Sequence, residues 1–258
     1  MKRHLIYIYV ALCSITALQA QTFADSTTIY TKAMADSAYA TADYAAAIQI
    51  YEHLLDTQGE SAMVYYNLGG AYYKSGDIAR AILNYERALL NEPSNADIQF
   101  NLDLARSKTV DKNAIVTELF FIRWWKQFST ILSTDGWAKT GIISFILLIS
   151  CLTLFIFSKK SKTKKIIFIF ALLSAIGTIV ANVIAANQKE KMVQRENAII
   201  MDPSVTIRST PSVNGTELFI LHEGKKVKIK DDSMKDWKEI EIEDGNIGWL
   251  PASSIERI

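Results

Sequence analysis

The sequence predicts an α+β multi-domain membrane protein that combines a stack of helical repeats, a two-helix transmembrane hairpin and a small C-terminal β-barrel. Three observations predict this fold class. Two uncharged apolar runs, residues 141–157 and 166–187, flank a short lysine-rich segment. A repeat with a period of 34 residues precedes them, and short alternating apolar runs separated by turn signals follow them.

The first twenty residues have the pattern of a secretory signal peptide. Lys2 and Arg3 form a basic start, residues 5–18 are apolar, and Ala20 precedes a plausible cleavage point. Leu18 is larger than the small residue usually found three positions before the cut, so an uncleaved anchor is the alternative. Either form exports the segment that follows.

A 34-residue period runs through segment 25–108. Tyr51 and Glu52, for example, recur as Tyr85 and Glu86. The best-matched unit places small residues where two antiparallel helices touch, glycine at the turn and proline after the second helix. Its residues are Tyr65, Leu68, Gly69, Tyr72, Gly76, Ala81, Tyr85, Ala88 and Pro93. This pattern resembles the tetratricopeptide repeat, and the segment has room for about 2.5 to 3 units.

Tetratricopeptide stacks present the first helix of each unit along a concave groove. The residues that are expected to line this groove and bind a partner are Tyr66, Asn67, Tyr73, Phe100 and Asn101. An aromatic ring beside an amide offers apolar contact together with a hydrogen-bond donor and acceptor, which suits an extended peptide. The alternative is that Asn67 and Asn101 tie neighbouring helices together.

An aromatic segment then leads to the membrane. Residues 111–134 are expected to form an amphipathic helix that Asp111 caps. Trp124, Trp125 and Phe128 share one face of this helix. A helix of this kind lies in the membrane interface, where tryptophan is favoured.

The two apolar runs predict transmembrane helices at residues 136–157 and 166–187. The shorter uncharged run reaches about 25 Å, close to the hydrocarbon thickness of about 30 Å, and Trp137 can extend it to the interface. The loop 158–165 determines the topology, because short basic loops stay on the cytoplasmic side. Its five lysines are Lys159, Lys160, Lys162, Lys164 and Lys165. Both long polar segments are therefore expected outside the cytoplasm.

Charge and cysteine usage exclude several classes of function. Residues 21–111 carry 6 basic and 12 acidic side chains, whereas residues 112–198 have a net charge of +8. Basic charge beside the membrane is a topology signal and does not predict a nucleic-acid partner. Cys13 and Cys151 lie in the signal and in the first transmembrane helix, so no disulfide joins the exported parts. The sequence contains no phosphate loop, metal-ligand cluster or nucleophile–base pattern, so we expect a protein that is not an enzyme and has no catalytic residues, cofactor or metal.

The C-terminal segment 199–258 has two landmarks. Arg208-Ser209-x-Pro211-Ser212 stands near its start and Gly248-Trp249-Leu250 near its end. The order resembles a bacterial SH3 domain, which implies a small antiparallel SH3-like β-barrel. Trp237 and Trp249 are expected either to form a binding cleft or to belong to the barrel core.

The order of all these segments resembles the BatE-type component of the Bacteroides aerotolerance operon. The resemblance implies an assembly in the bacterial inner membrane with von Willebrand A-type membrane proteins and a MoxR-associated complex. The residues themselves predict a non-enzymatic, membrane-anchored scaffold with two periplasmic modules for protein–protein interaction. The alternative is a sensor that binds cell-wall peptidoglycan through the SH3-like domain.

Overall fold

The computed structural model describes residues 30–112 and 119–258. The signal predicted at 1–20, the start of the predicted repeat segment and part of the predicted aromatic helix lie outside the described residues. Lys32–Ile258 form one compact unit.

Helices α1 to α5 make up the repeat stack, and each helix packs against the next one. They span Lys32–Ala40, Tyr44–Gln58, Ala62–Ser75, Ile78–Asn91 and Ala96–Arg106. Asp43 and Asp77 cap α2 and α4, because their carboxylates accept the backbone N–H of Ala46 (3.1 Å) and of Arg80 (2.9 Å). Helix α3 ends at Gly76, whose φ of +95° lies in the left-handed region that favours glycine. The boundaries of the repeat units are therefore set by the local sequence.

Small residues lie where the helices of the stack touch. Ala47, Ala81 and Ala88 are completely buried, and the larger side chains of Tyr51 and Ile82 fill the space beside them. Close packing of this kind brings two helices near enough for one unit to bury the face of the next.

Three further helices connect the stack to the C-terminal segment: α6 Phe120–Ser129, α7 Thr134–Phe157 and α8 Ser161–Gln194. Helices α7 and α8 pack along each other as a hairpin, and both are long and apolar enough to cross a membrane. Helix α8 begins inside the predicted loop 158–165, because lysine is a good helix former. It also continues past residue 187 and ends at Gln194, shortly before the first strand begins at Asn197.

Helix α6 is shorter than the predicted helix 111–134 and lies against the hairpin. The ring of Phe128 packs on Trp137 with centroids 5.3 Å apart, and the indole N–H of Trp137 donates to the carbonyl of Ser129 (2.9 Å). The Gln188 side chain of α8 donates to the same carbonyl (2.7 Å). The other aromatic residues of α6 are exposed, as the side chains of an interfacial helix would be.

Residues 197–257 form one antiparallel sheet with the strand order β3-β2-β6-β5-β4-β1-β7. The strands β1 to β7 are Asn197–Ile200, Ser204–Arg208, Glu217–His222, Lys226–Asp231, Trp237–Glu241, Ile247–Pro251 and Ile255–Arg257. Ile207, Ile240 and Leu250 are completely buried between more exposed neighbours. The alternation seen in the sequence therefore matches the inner face of the sheet.

The predicted β-barrel is not closed, since the edge strands β3 and β7 do not pair with each other. Strand periodicity predicts which face is buried, but it does not predict which edges meet. The edge at β7 is engaged by a helix instead. The Arg87 guanidinium of α4 donates to the carbonyl of Arg257 (2.6 Å) and pairs with Glu256 (3.0 Å). A polar side chain that hydrogen-bonds to an edge strand in this way makes the edge less available for pairing with another strand.

The sheet also packs against the end of the repeat stack. The Glu86 side chain is only 7% exposed and forms ion pairs with Arg106 of α5 and Lys226 of β4, the latter at 2.7 Å. Asp111 was expected to cap a helix, but its carboxylate accepts the backbone N–H of His222 (2.6 Å) and lies 3.0 Å from that ring's Nδ1. The helical and β segments are thus joined by charged groups as well as by packing.

Candidate functional site

The first helices of the three repeat units are α1, α3 and α5; α3 contacts both of the others, so the three share one side of the stack. We call this side the groove face, defined by the five predicted residues Tyr66, Asn67, Tyr73, Phe100 and Asn101. Its most exposed apolar side chain is Phe100 (69% exposed), and Met63 on α3 is also exposed (58%). Exposed apolar side chains on this side of the stack are available for contact with a partner.

Both asparagines of the groove face use their amide donors within the stack. The Asn67 amide donates to the Asp36 carboxylate of α1 (3.2 Å). The Asn101 amide donates to the Tyr66 hydroxyl (2.9 Å) and to the carbonyl of Asp97 (2.9 Å). These contacts favour the alternative in which the asparagines tie neighbouring helices together.

The three aromatic residues of the groove face differ in their surroundings. Tyr66 packs against Tyr85, with ring centroids 5.9 Å apart, and the ammonium group of Lys108 lies 4.3 Å from the ring centroid of Tyr73. Phe100 presents most of its ring to solvent. The groove face therefore offers apolar contact from Phe100 and a cation over an aromatic ring beside it.

A cavity of about 260 Å³ lies next to the groove face, and sequence reasoning missed most of its lining. Its residues are Asp36, Tyr39, Tyr51, Tyr66, Asn67, Gly70 and Tyr85. The sequence does contain one signal for this cavity. Asp36 and Gly70 occupy equivalent positions of successive units, so two of the lining residues are related by the 34-residue period. The missing side chain at Gly70 leaves room beside Tyr39, whose hydroxyl would lie 3.5 Å from an added Cβ.

The electrostatics of this cavity favour the neutral form of Tyr51 and Tyr85 and the ionised form of Asp36. Burial alone would raise the pKa of Asp36, but hydrogen bonds from Lys32 (2.6 Å), Tyr51 (2.5 Å) and Asn67 (3.2 Å) outweigh it, so the pKa is lowered. Burial raises the pKa of Tyr51 and of Tyr85. The Asp36 carboxylate already accepts three hydrogen bonds from the protein. The cavity therefore suits an apolar or aromatic side chain of a partner.

The two tryptophans of the C-terminal sheet lie on neighbouring strands. Trp237 of β5 stands opposite Pro251, and Trp249 of β6 stands opposite Glu239. Both are partly exposed, and neither belongs to the buried core of the sheet. Register places them diagonally on one face, two residues apart along the ladder.

In residues 30–112 and 119–258, no group of three His, Cys, Asp or Glu side chains is placed to hold a metal ion. Cys151 lies in the apolar helix α7 and is a free thiol.

Comparison with known proteins identifies one repeat. Residues 62–95, which include helices α3 and α4, match the tetratricopeptide repeat family. A comparison with curated proteins found no match. The chain therefore contains a tetratricopeptide repeat, which supports a role in protein–protein interaction, and two apolar helices that could span a membrane.

Proposed function

We propose that this protein is a non-enzymatic scaffold anchored in the bacterial inner membrane, with the repeat stack and the C-terminal sheet in the periplasm. The repeat at residues 62–95 supports the scaffold role, because stacks of such units provide extended binding surfaces. The hairpin of α7 and α8 supports the anchor. The lysines around residues 159–165 support the orientation, since short basic loops remain cytoplasmic.

The partner in this proposal is a segment of a membrane protein that covers the groove face. The exposed ring of Phe100 is the observation that carries it. Burial of one large apolar side chain in an interface contributes about 1.5–3 kcal/mol. The resemblance to BatE-type proteins makes von Willebrand A-type membrane proteins and a MoxR-associated complex the first partners to test, with the SH3-like sheet as a second docking module.

Site-specific photocrosslinking in cells tests this proposal. A photoreactive phenylalanine analogue at Phe100 should capture a membrane protein, and the same analogue at the exposed Thr57 of α2, on a second helix, should not. Mass spectrometry then identifies the captured chain. Equal capture from both positions, or none from Phe100, would contradict the proposed groove.

Two alanine variants separate binding from bracing on the groove face. Phe100→Ala should weaken partner capture and leave the melting temperature unchanged, because the ring is exposed. Asn101→Ala should lower the melting temperature, since it removes the bond to the Tyr66 hydroxyl, worth about 0.5–1.5 kcal/mol. If Asn101→Ala instead weakens capture at unchanged stability, the amide belongs to the binding site.

A second candidate function is peptidoglycan binding by the C-terminal sheet. The observation that favours it is the pair of partly exposed tryptophans on one face of β5 and β6. Purified cell wall should then retain the detergent-solubilised protein, and Trp249→Ala should reduce this retention. Retention that does not depend on Trp249 would leave the scaffold as the better proposal.

A further inference from the structure

A cavity of about 580 Å³ lies where the repeat stack meets the apolar hairpin. Asn91, the last residue of α4, lines it on the side of the stack. The rest of the lining comes from the start of α7, together with the residue that caps it, and from the end of α8. We call it the junction cavity. Its volume is within the range of about 300–1,000 Å³ that is typical of ligand sites.

Two side chains of opposite charge line the junction cavity without pairing. Asp135 of α7 and Lys189 of α8 are both exposed, and within residues 30–112 and 119–258 neither forms an ion pair with the other or with a third group. Among the described residues they are the only charged side chains of this lining. Because both are accessible, a ligand that carries one cation and one anion can reach both of them.

The position of these two charges along the hairpin matches the headgroup layer of a membrane. A Cβ added at Gly141, where the uncharged run of α7 begins, would lie 2.9 Å from Nδ2 of Asn182, so these residues are at the same level of the hairpin. Asp135 precedes Gly141 by six residues and Lys189 follows Asn182 by seven, which places both about 9–11 Å further out. The headgroup layer extends about 5–8 Å beyond the hydrocarbon core. The two charges therefore lie at the outer edge of this layer, within reach of lipid headgroups.

Below the charges, the hairpin surface changes in the same order as a phospholipid does. The Asn182 amide donates one N–H to the carbonyl of Thr178 (2.8 Å), which leaves its second N–H for an acceptor such as a lipid ester carbonyl. Ile142 of α7 and Ile179 of α8 come one turn deeper than the lining residues Ala138 and Asn182, and they are 61% and 64% exposed. Residues at this spacing share a helix face. These two faces therefore offer apolar contact to acyl chains directly below the cavity.

We propose that the junction cavity binds one phospholipid with an ethanolamine headgroup. The lipid phosphate accepts hydrogen bonds from the Lys189 ammonium group, the ethanolamine ammonium group donates to the Asp135 carboxylate, and an ester carbonyl accepts the second N–H of Asn182. Because Asn91 lines the same cavity, the lipid headgroup contacts the repeat stack as well as the hairpin. This inference rests on the membrane anchor of the proposed function and adds the class of lipid that the anchor binds.

Native mass spectrometry of the full chain, released from detergent micelles, tests the site. The probe is an equimolar mixture of dioleoyl phosphatidylethanolamine, phosphatidylglycerol and phosphatidylcholine. The chain should retain one phosphatidylethanolamine about tenfold more than either other lipid, since a hydrogen bond between charged groups contributes at least that factor. Phosphatidylglycerol lacks the cation, and the trimethylammonium group of phosphatidylcholine has no N–H to donate. Equal retention of all three lipids would mean an annular lipid only and would overturn the proposal.

Two variants separate the two charged contacts. Asp135→Asn should remove most of the preference for phosphatidylethanolamine over phosphatidylcholine, whereas Lys189→Gln should weaken retention of all three lipids, because each carries a phosphate. Both residues are exposed, so the melting temperature should not change. Lys191→Gln and Glu190→Gln are the matched controls, since these exposed residues of α8 do not line the cavity. An equal loss in the matched control would contradict the assignment of that contact and with it the proposed site.

Two further measurements separate this site from the anchor and from a soluble ligand. In a flotation assay with liposomes of phosphatidylethanolamine and phosphatidylglycerol, a chain that floats but shows no lipid preference refutes the lipid site alone. A chain that does not float refutes the anchor and the site together. sn-Glycero-3-phosphoethanolamine, which has the same headgroup without acyl chains, should not displace the lipid at equal concentration. Displacement would assign the cavity to a soluble phosphoethanolamine and would overturn the proposal of a lipid.

Discussion

Gly69 and Gly70 are adjacent residues of α3, and an alanine at each should have opposite effects on stability. A Cβ added at Gly69 would lie 2.8 Å from Cδ1 of Tyr85 and 3.2 Å from the carbonyl oxygen of Ala81. The Tyr85 ring is buried and cannot move aside freely. A Cβ added at Gly70 would meet its nearest neighbour, the Tyr39 hydroxyl, at an ordinary contact distance of 3.5 Å.

The magnitude follows from two terms. Replacing glycine by alanine inside a helix gains about 0.5–1 kcal/mol in either variant, because alanine loses less backbone entropy. Overpacking costs about 1–3 kcal/mol and applies at Gly69 alone. The helix term cancels in the difference between the variants, so Gly69→Ala should be less stable than Gly70→Ala by about 1–3 kcal/mol.

Hydrogen exchange of the α3 and α4 amides in the full chain measures this difference within the repeat stack itself. In the regime where exchange reports the opening equilibrium, Gly69→Ala should exchange about 5- to 150-fold faster than Gly70→Ala. Gly69→Leu should exchange faster still, since it adds three more carbons. Equal exchange in the two alanine variants would refute the helix contact at Gly69 and with it the repeat register.

Three further predictions concern other parts of the chain. Glu86→Gln should speed hydrogen exchange in both α5 and β4, because it removes the charge that pairs with both elements. A broken buried ion pair costs about 3–5 kcal/mol, and since the partners here are partly exposed we expect the free energy of unfolding to fall by about 2–3 kcal/mol. Faster exchange in α5 alone would contradict a shared role. Burial raises the pKa of Tyr51 and of Tyr85 in the folded stack, so above pH of about 10 the unfolded chain loses these protons more readily than the folded chain does. The free energy of unfolding, and with it the melting temperature, should therefore fall between pH of about 9 and pH of about 11. Phosphatase fused after Ser107 should be active and fused at Ser161 inactive, and activity at Ser161 would refute the topology.

The features that could be predicted from the sequence are those set by neighbours along the chain. Asp77 caps α4 through an amide three residues away, and Gly76 ends α3 through its own φ. Both features recur with the 34-residue period or follow from residue type, so a single sequence shows them. The match of residues 62–95 to the tetratricopeptide repeat family confirms the unit that this reasoning identified.

The features that could not be predicted depend on contacts between distant residues. Glu86 is the repeat equivalent of Glu52, which is exposed, and its burial depends on Lys226, which is 140 residues away. The bond between Asn67 and Asp36 likewise joins two units, and it changes the interpretation of a predicted groove residue. Periodicity places a residue on a face of its own helix, but it does not show which distant group meets that face.

The contacts at the end of the stack explain how an incomplete third repeat unit is supported. Within the described residues, α5 is followed by no second helix that packs on it before α6, yet Leu102 of α5 is buried. The turn at Gly224 lies close to the end of the stack. The φ of Gly224 is +81°, and a Cβ added there would lie 2.7 Å from Cγ2 of Thr109 and 2.9 Å from Cδ1 of Ile82. Such close approach at a positive φ admits only glycine without strain. Because Glu86 forms ion pairs with cations of both α5 and β4, the sheet takes the place of a repeat helix at the end of the stack.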